Sequence, residues 1–167
     1  MIKKIAVSTF CNWSSYGSML QAYGLKQILK SLNCDSYVFV DEIIPPPTRN
    51  SLCLSCGLKS FVRSIFKNIK INDIIDAYSK NKLFIDNNID IVEYSNYDEL
   101  LKKPPIADLY LSGSDQVFNP INSRPSFFLN FVNDRKKRLT YACSMGVLTV
   151  PREKRDCFEK LSNNFDV

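Results

Sequence analysis

The sequence predicts an α/β chain built on a Rossmann-like parallel sheet. Two observations carry this. Residues 3–42 contain a strand, an amphipathic helix and a second strand in that order, a βαβ unit whose crossover is right-handed and whose strands are parallel. Apolar runs also break repeatedly into loops of small and polar residues, "TFCNWSSYGS", "SGSDQVFNP" and "CSMG". In an open parallel sheet such loops leave the carboxyl edge, where ligands bind, above all where the strand order reverses.

In chain order, "KKIAVST" (3–9) is a run of Ile, Ala and Val that reads as a buried strand. "MLQAYGLKQILKSLN" (19–33) follows, with Leu20, Tyr23, Ile28, Leu29 and Leu32 predicted along one helical face. "SYVFVDE" (36–42) is the second strand. Pro45, Pro46 and Pro47 end this unit, since fixed φ angles and missing N–H groups suit neither a helix interior nor a central strand. Residues 48–90 show helical spacing in "LKSFVRSIFKNI" and "NDIIDAYSKNKLFIDN" and are predicted as a helical excursion off the sheet. "NYDELLKK" (96–103) predicts a short helix, "ADLYLSG" (107–113) a strand, and "SFFLNFV" (126–132) and "RLTYACSMG" (138–146) two more strands. Pro151 suits the first turn of a closing helix, "REKRDCFEKLSNNF", whose apolar face is Cys157, Phe158, Leu161 and Phe165.

The 167 residues are 45% hydrophobic, enough for one core. The formal charge is +5, but the basic residues are dispersed apart from "DRKKR" (134–138). One such run reads as a solvated face, so no nucleic-acid partner is expected. No apolar stretch is long enough for a signal peptide or a membrane span. Six irregularly spaced cysteines fit reduced thiols in a cytoplasm. The absence of His removes the commonest general acid–base and the commonest zinc ligand. "CLSC" (53–56) has zinc-knuckle or redox spacing, but its missing ligands would have to come from distant Cys11, Cys34, Cys143 or Cys157, so no metal is expected.

The first loop enters a helix near Gly17 and Ser18, where unpaired N–H groups favour an anion; local sequence favours a plain cap by Ser14 or Ser15. In "GSDQVFN", Gly113 can supply a backbone geometry that other residues resist. Asp115 can act as a base or acceptor toward a hydroxyl, or merely close an Asx-type turn on its own backbone, and the two readings are equal on local sequence. Trp13 and Tyr16 can stack on a sugar ring, although core packing is the commoner fate of aromatics.

Together, "SSYGSMLQAYGLKQIL", "GSDQVFNP" and "YACSMG" resemble the polysaccharide pyruvyl transferase family in order and approximate spacing, over nearly the whole chain and most weakly between 43 and 93. Phe118 departs from the family's usual Trp, keeping apolar surface but losing an N–H donor. The resemblance implies that residues 1–167 form the amino-terminal lobe of a two-lobe architecture similar to GT-B glycosyltransferases, with the carboxyl-terminal lobe absent. It implies transfer of pyruvate from phosphoenolpyruvate, as donor substrate and without a cofactor, to a sugar or lipid-linked glycan of a cell-surface polysaccharide as a ketal. Donor-gripping arginines and a catalytic histidine are then expected in the other lobe, and this chain alone is expected to be inactive.

On this lobe the resemblance points to Asp115 as the catalytic residue. Substrate contacts are expected from Tyr16, Gly17, Gln21, Gly113, Ser114, Gln116, Asn119 and Ser144. The alternative is a nonenzymatic or degenerate Rossmann-like module that binds a sugar or nucleotide. A third possibility is a small metal or redox protein organised by Cys53 and Cys56.

Overall fold

The computed structural model describes residues 2–42, 71–121, 124–163 and 165. Its sheet contains β1 (Lys3–Ser8), β2 (Cys34–Val40), β3 (Ile91–Glu93), β4 (Leu109–Asp115) and β5 (Arg138–Cys143). The spatial order is β3-β2-β1-β4-β5 and every pairing is parallel, as the opening βαβ pattern predicts. The described helices are α1 (Tyr16–Ser31), α2 (Ile71–Asn88), α3 (Tyr97–Lys102) and α4 (Arg155–Ser162). None of them is long and apolar enough to cross a membrane. Helix α2 is the second part of the predicted excursion; "LKSFVRSIFKNI", Cys53 and Cys56 lie outside the described residues.

Local chemistry sets the ends of α1. Ser15 is the N-cap, its Oγ accepting from the Ser18 N–H at 3.3 Å. Past the other end, Asn33 takes φ +57, a left-handed conformation that Asn tolerates better than most residues. Helix α3 starts at Asn96, whose Oδ1 accepts from the Glu99 N–H, while the Glu99 carboxylate reaches back to the Ser95 N–H.

Strand β1 is central, and Ile5, Ala6, Val7 and Ser8 are all buried. Its alternation sends Ile5 and Val7 to one face, with Val38 and Leu111, under Met19, Ala22, Leu25 and Leu29 of α1 and Ile85 and Ile89 of α2 and its end. Ala6 and Phe39 face the other way, against Leu100, Leu129, Phe131 and Val132. Both faces are thus covered in the middle of the sheet, the usual condition of a parallel sheet. At the edge, Leu139, Thr140, Tyr141 and Ala142 of β5 are exposed.

Four expectations need correction. The inward face of α1 is Ser18, Met19, Ala22, Leu25 and Leu29, whereas Leu20, Ile28 and Leu32 are 40%, 46% and 66% exposed. Leu29 is inward as expected and Tyr23 packs half-buried against the same core, while Ser18, Met19, Ala22 and Leu25 complete the face. "SFFLNFV" is not a strand: Pro125–Phe128 is a 3₁₀ turn and Leu129 sits at φ +53. Its backbone is satisfied locally, with Phe127 N–H donating to Arg124 O and Leu129 N–H to Ser126 O, so it has no need of a sheet partner. Cys157 is exposed, and α4 packs through Phe158 and Leu161 with Phe165 beyond it. Finally, β3 was not anticipated, because three residues carry almost no periodicity.

The reassigned segment is pinned from the sheet by hydroxyls. Ser8 Oγ donates to Ser126 O at 3.2 Å and Ser112 Oγ to Phe127 O at 2.5 Å. Ser126 Oγ itself is buried without a hydrogen-bond partner among the described residues.

Two consequences are measurable by urea denaturation. Met19→Ala is expected to cost about 2–5 kcal/mol and Leu20→Ala no more than about 0.5 kcal/mol; the reverse order would restore the face predicted from sequence. Ser126→Ala removes an unpaired buried hydroxyl and is expected to leave stability unchanged or raised; a loss above about 1 kcal/mol would show that the hydroxyl has a partner after all.

Candidate functional site

Chain order sets where a site can form. After β1 the chain adds β2 and β3 on one side, then returns to add β4 and β5 on the other. The strand order therefore reverses between β1 and β4, and the loops leaving their carboxyl ends part around a crevice. There an open depression of about 300 Å³ is lined by Phe10, Asn12, Ser15 and Ser18 from the β1–α1 side and by Asp115, Gln116 and Asn119 from the β4 side.

Strand β4 runs to Asp115, so Gly113, Ser114 and Asp115 are the last strand residues and not the loop beyond. Thr9 Oγ1 donates to Ser114 O at 2.8 Å, tying the two strand ends together. Gly113 has φ +108, and a Cβ there would lie 2.0 Å from Tyr141 O and 2.8 Å from Cys143 Sγ. Glycine is needed at 113 because β5 passes too close for any side chain. Asp115 holds φ +100, a conformation that favours glycine and marks a locally constrained backbone.

Asp115 makes a local backbone bond and also lines the depression. Its Oδ1 accepts from the Gln116 N–H at 2.7 Å, a local backbone bond. Its Oδ2 carries no hydrogen bond to another described residue, and the side chain lines the depression. Asn119 is nearly buried: Oδ1 accepts from the Ile121 N–H at 3.0 Å, and Nδ2 donates to Gln116 Oε1 at 3.3 Å. Gln116 is exposed and braced from behind, since a Cβ on Gly146 would lie 2.2 Å from its Oε1. The "CSMG" loop joins here through its backbone, with Ser144 N–H donating to Asp115 O at 3.0 Å and Ser144 O accepting from Phe118 N–H at 3.2 Å.

Other predicted positions stand apart. Tyr16, Gly17 and Gln21 are exposed and outside the lining, and a Cβ on Gly17 would meet only open space. The Ser144 side chain is likewise exposed and outside it. Phe118 is structural, stacked on Phe128 at 4.7 Å and 14° and near Phe165. Phe10 and Asn12 were missed as lining residues, Ser18 was weighed only as part of a helix N-terminus that favours an anion, and Ser15 only as a cap. The signal that could have found them is the strand-order reversal beside β1, which no local motif contains.

The electrostatics are specific. No Lys or Arg lines the depression among the described residues. Arg124, in a neighbouring hollow with Thr9 and Phe10, is bound to Asp41 at 3.3 Å and to Glu42, with its guanidinium 5.6 Å from the Phe127 ring centroid. Thiol chemistry is disfavoured as well. Burial pushes the Cys11 thiol up to about 11, and burial also raises Cys143, whose Sγ donates to Ser112 O at 3.1 Å. Both are therefore protonated at neutral pH and poor nucleophiles. No cluster of three or more His, Cys, Asp or Glu suited to a metal occurs among the described residues. The arrangement offers a carboxylate, three amides and hydroxyls, a set suited to gripping a polyol.

The family described as polysaccharide pyruvyl transferase matches residues 16–167. No curated protein and no solved structure matches the chain.

Gly113→Ala should separate scaffold from chemistry within this motif. The new methyl meets backbone and the φ is unfavourable for alanine, so a loss of about 2 kcal/mol or more is expected. Thermal melting checks this, and a melting temperature within error of the unaltered protein would contradict the close approach of β5.

Proposed function

The chain belongs to the polysaccharide pyruvyl transferase family, and from that membership we propose that it serves the transfer of pyruvate from phosphoenolpyruvate onto a sugar as a cyclic ketal. This lobe supplies the acceptor side. The acceptor is a sugar or lipid-linked glycan of a cell-surface polysaccharide or its precursor, phosphoenolpyruvate is the donor substrate, no cofactor is needed, and the reaction runs in the cytoplasm.

The observation that carries this reading is the depression at the strand-order reversal, rich in hydrogen-bonding groups and without a lining cation among the described residues. Phosphoenolpyruvate carries phosphate and carboxylate, which demand fixed cations. Arg124, at the same edge, is already engaged by Asp41 and Glu42. Sugar hydroxyls match the depression better. In this reading the donor's cations and the acid come from a second lobe of a GT-B-like pair.

The chemistry assigns roles. Protonation of the donor at C3 makes C2 electrophilic. One sugar hydroxyl then forms a bond to C2 and loses its proton, with Asp115 Oδ2 as the acceptor. The C2–O bond to phosphate breaks, the second hydroxyl attacks C2 in its place, its proton leaves on the departing inorganic phosphate, and the ketal closes. Gln116 and Asn119 orient the hydroxyls from the lining, while Ser114, Tyr16, Gly17, Gln21 and Ser144, which lie outside it, are left to parts of the acceptor that extend beyond the depression.

The test is mass-spectrometric detection of a ketal from phosphoenolpyruvate and sugar acceptors by the full natural protein; the 167-residue chain alone is expected to form none. Asp115→Asn keeps an oxygen for the Gln116 N–H, so melting should be preserved. Turnover is expected to fall roughly a hundredfold, the scale of a lost general base. Near-normal turnover would remove Asp115 from the chemistry, and sugar binding without any ketal would favour a nonenzymatic binding module.

A further inference from the structure

Beside the Asp115 depression lies a second one, of about 370 Å³, lined by Trp13, Ser14, Asp73, Tyr78 and Asn81 together with Ile74 and Ala77. A single stretch of chain divides the two. Asn12 and Ser15 line the first, while Trp13 and Ser14, between them in sequence, line the second. The divider is held in shape: Asn12 Oδ1 accepts from the Ser14 N–H at 2.9 Å and from Ser14 Oγ at 2.5 Å. Asn81 Nδ2 donates to Trp13 O at 2.8 Å, fixing the divider to α2.

The lining chemistry is that of a saccharide site. Trp13 and Tyr78 meet edge to face, with centroids 4.9 Å apart and planes at 88°, so two aromatic surfaces at right angles border one hollow. Such surfaces suit the C–H face of a sugar ring. The Asp73 carboxylate, the Ser14 hydroxyl and the Asn81 amide supply acceptors and donors around them. No Lys or Arg is among the described lining residues. The volume falls within the range of small-ligand pockets, about 300–1,000 Å³. Trp13 also packs against the core formed by α1, α2 and the sheet, so its ring is anchored while it borders the hollow.

We propose that this second depression is a subsite for a further sugar residue of the acceptor, so that the protein selects a glycan of two or more residues over a monosaccharide. The proposal rests on the acceptor reading of the Asp115 depression and adds chain length to it. One sugar occupies the Asp115 side, and its glycosidic neighbour crosses the 12–15 divider to lie on Trp13 and Tyr78.

Trp13 is the sole tryptophan of these 167 residues, and the difference between the unaltered protein and a Trp13→Phe variant isolates its emission as the report on this subsite. The probes are glucose, galactose, mannose and N-acetylglucosamine, with linear tetrasaccharides of each, followed by tryptophan fluorescence and by saturation-transfer NMR on the full natural protein. The expected result is a Trp13 emission shift with at least one tetrasaccharide, and affinity about tenfold or more above that of its monosaccharide. Tyr78→Ala is expected to remove that tenfold advantage. Asp73→Ala, at an exposed position of α2, should reduce it in a variant whose folding is not in question. If monosaccharide and tetrasaccharide bind equally and emission is silent, the subsite falls while the acceptor reading stands. If NMR detects no binding of any probe, both fall.

Discussion

The site depends on the parallel pairing of β1 with β2 on one side and β4 on the other. Once β1 is innermost, every strand must end at the same edge, and the segments leaving β1 and β4 must turn away from each other. The crevice is a product of topology before any side chain is chosen. Side chains then fix its width: Thr9 bonds across to Ser114, and Ser8 and Ser112 hold the 126–127 carbonyls beneath it. Small hydroxyl residues at the ends of central strands are therefore structural fasteners here, although their composition reads as a polar ligand site.

The fold was legible in proportion to periodicity. Strands β1, β2, β4 and β5 and helix α1 were visible as runs and spacings, and the parallel arrangement followed from the first βαβ unit. The inward face of α1 was legible only in part: Leu29 and the half-buried Tyr23 belong to it, but a search for large apolar residues also selects the exposed Leu20, Ile28 and Leu32 and passes over Ser18 and Ala22, which the sheet covers. Residues 126–132 were misread for a related reason. They are apolar enough for a strand, but Leu129 in the left-handed region and local i to i+3 bonds make them a plug. Hydrophobicity reports burial and says little about the backbone form in which it is achieved.

The site was legible only where its residues are contiguous. Asp115, Gln116 and Asn119 stand together in one motif and in one depression. Asn12, Ser15 and Ser18 arrive from about a hundred residues earlier through the β1–β4 pairing, and no local spacing connects them to Asp115. Tyr16, Gly17 and Gln21 share the amino end of α1 with Ser18, yet a helix turns successive residues to different sides, and only Ser18 of these four lines the depression. The Arg124 pairing with Asp41 and Glu42 was invisible for the same reason: the partners are 82 and 83 residues apart.

The chain from 12 to 18 is unusually well tied for a loop beside a candidate site. Asn12 caps Ser14, Ser15 caps Ser18, and Asn81 holds the Trp13 carbonyl. Ordering a loose loop around a ligand costs roughly 1–2 kcal/mol of conformational entropy per residue fixed, a cost already met here during folding. A ligand at this edge would meet a surface whose shape is already set, so affinity would be decided by fit and desolvation with little drain from ordering. Discrimination between close stereoisomers of a sugar is then a matter of rigid geometry: an axial hydroxyl in place of an equatorial one finds its partner absent, with no slack in the loop to supply it.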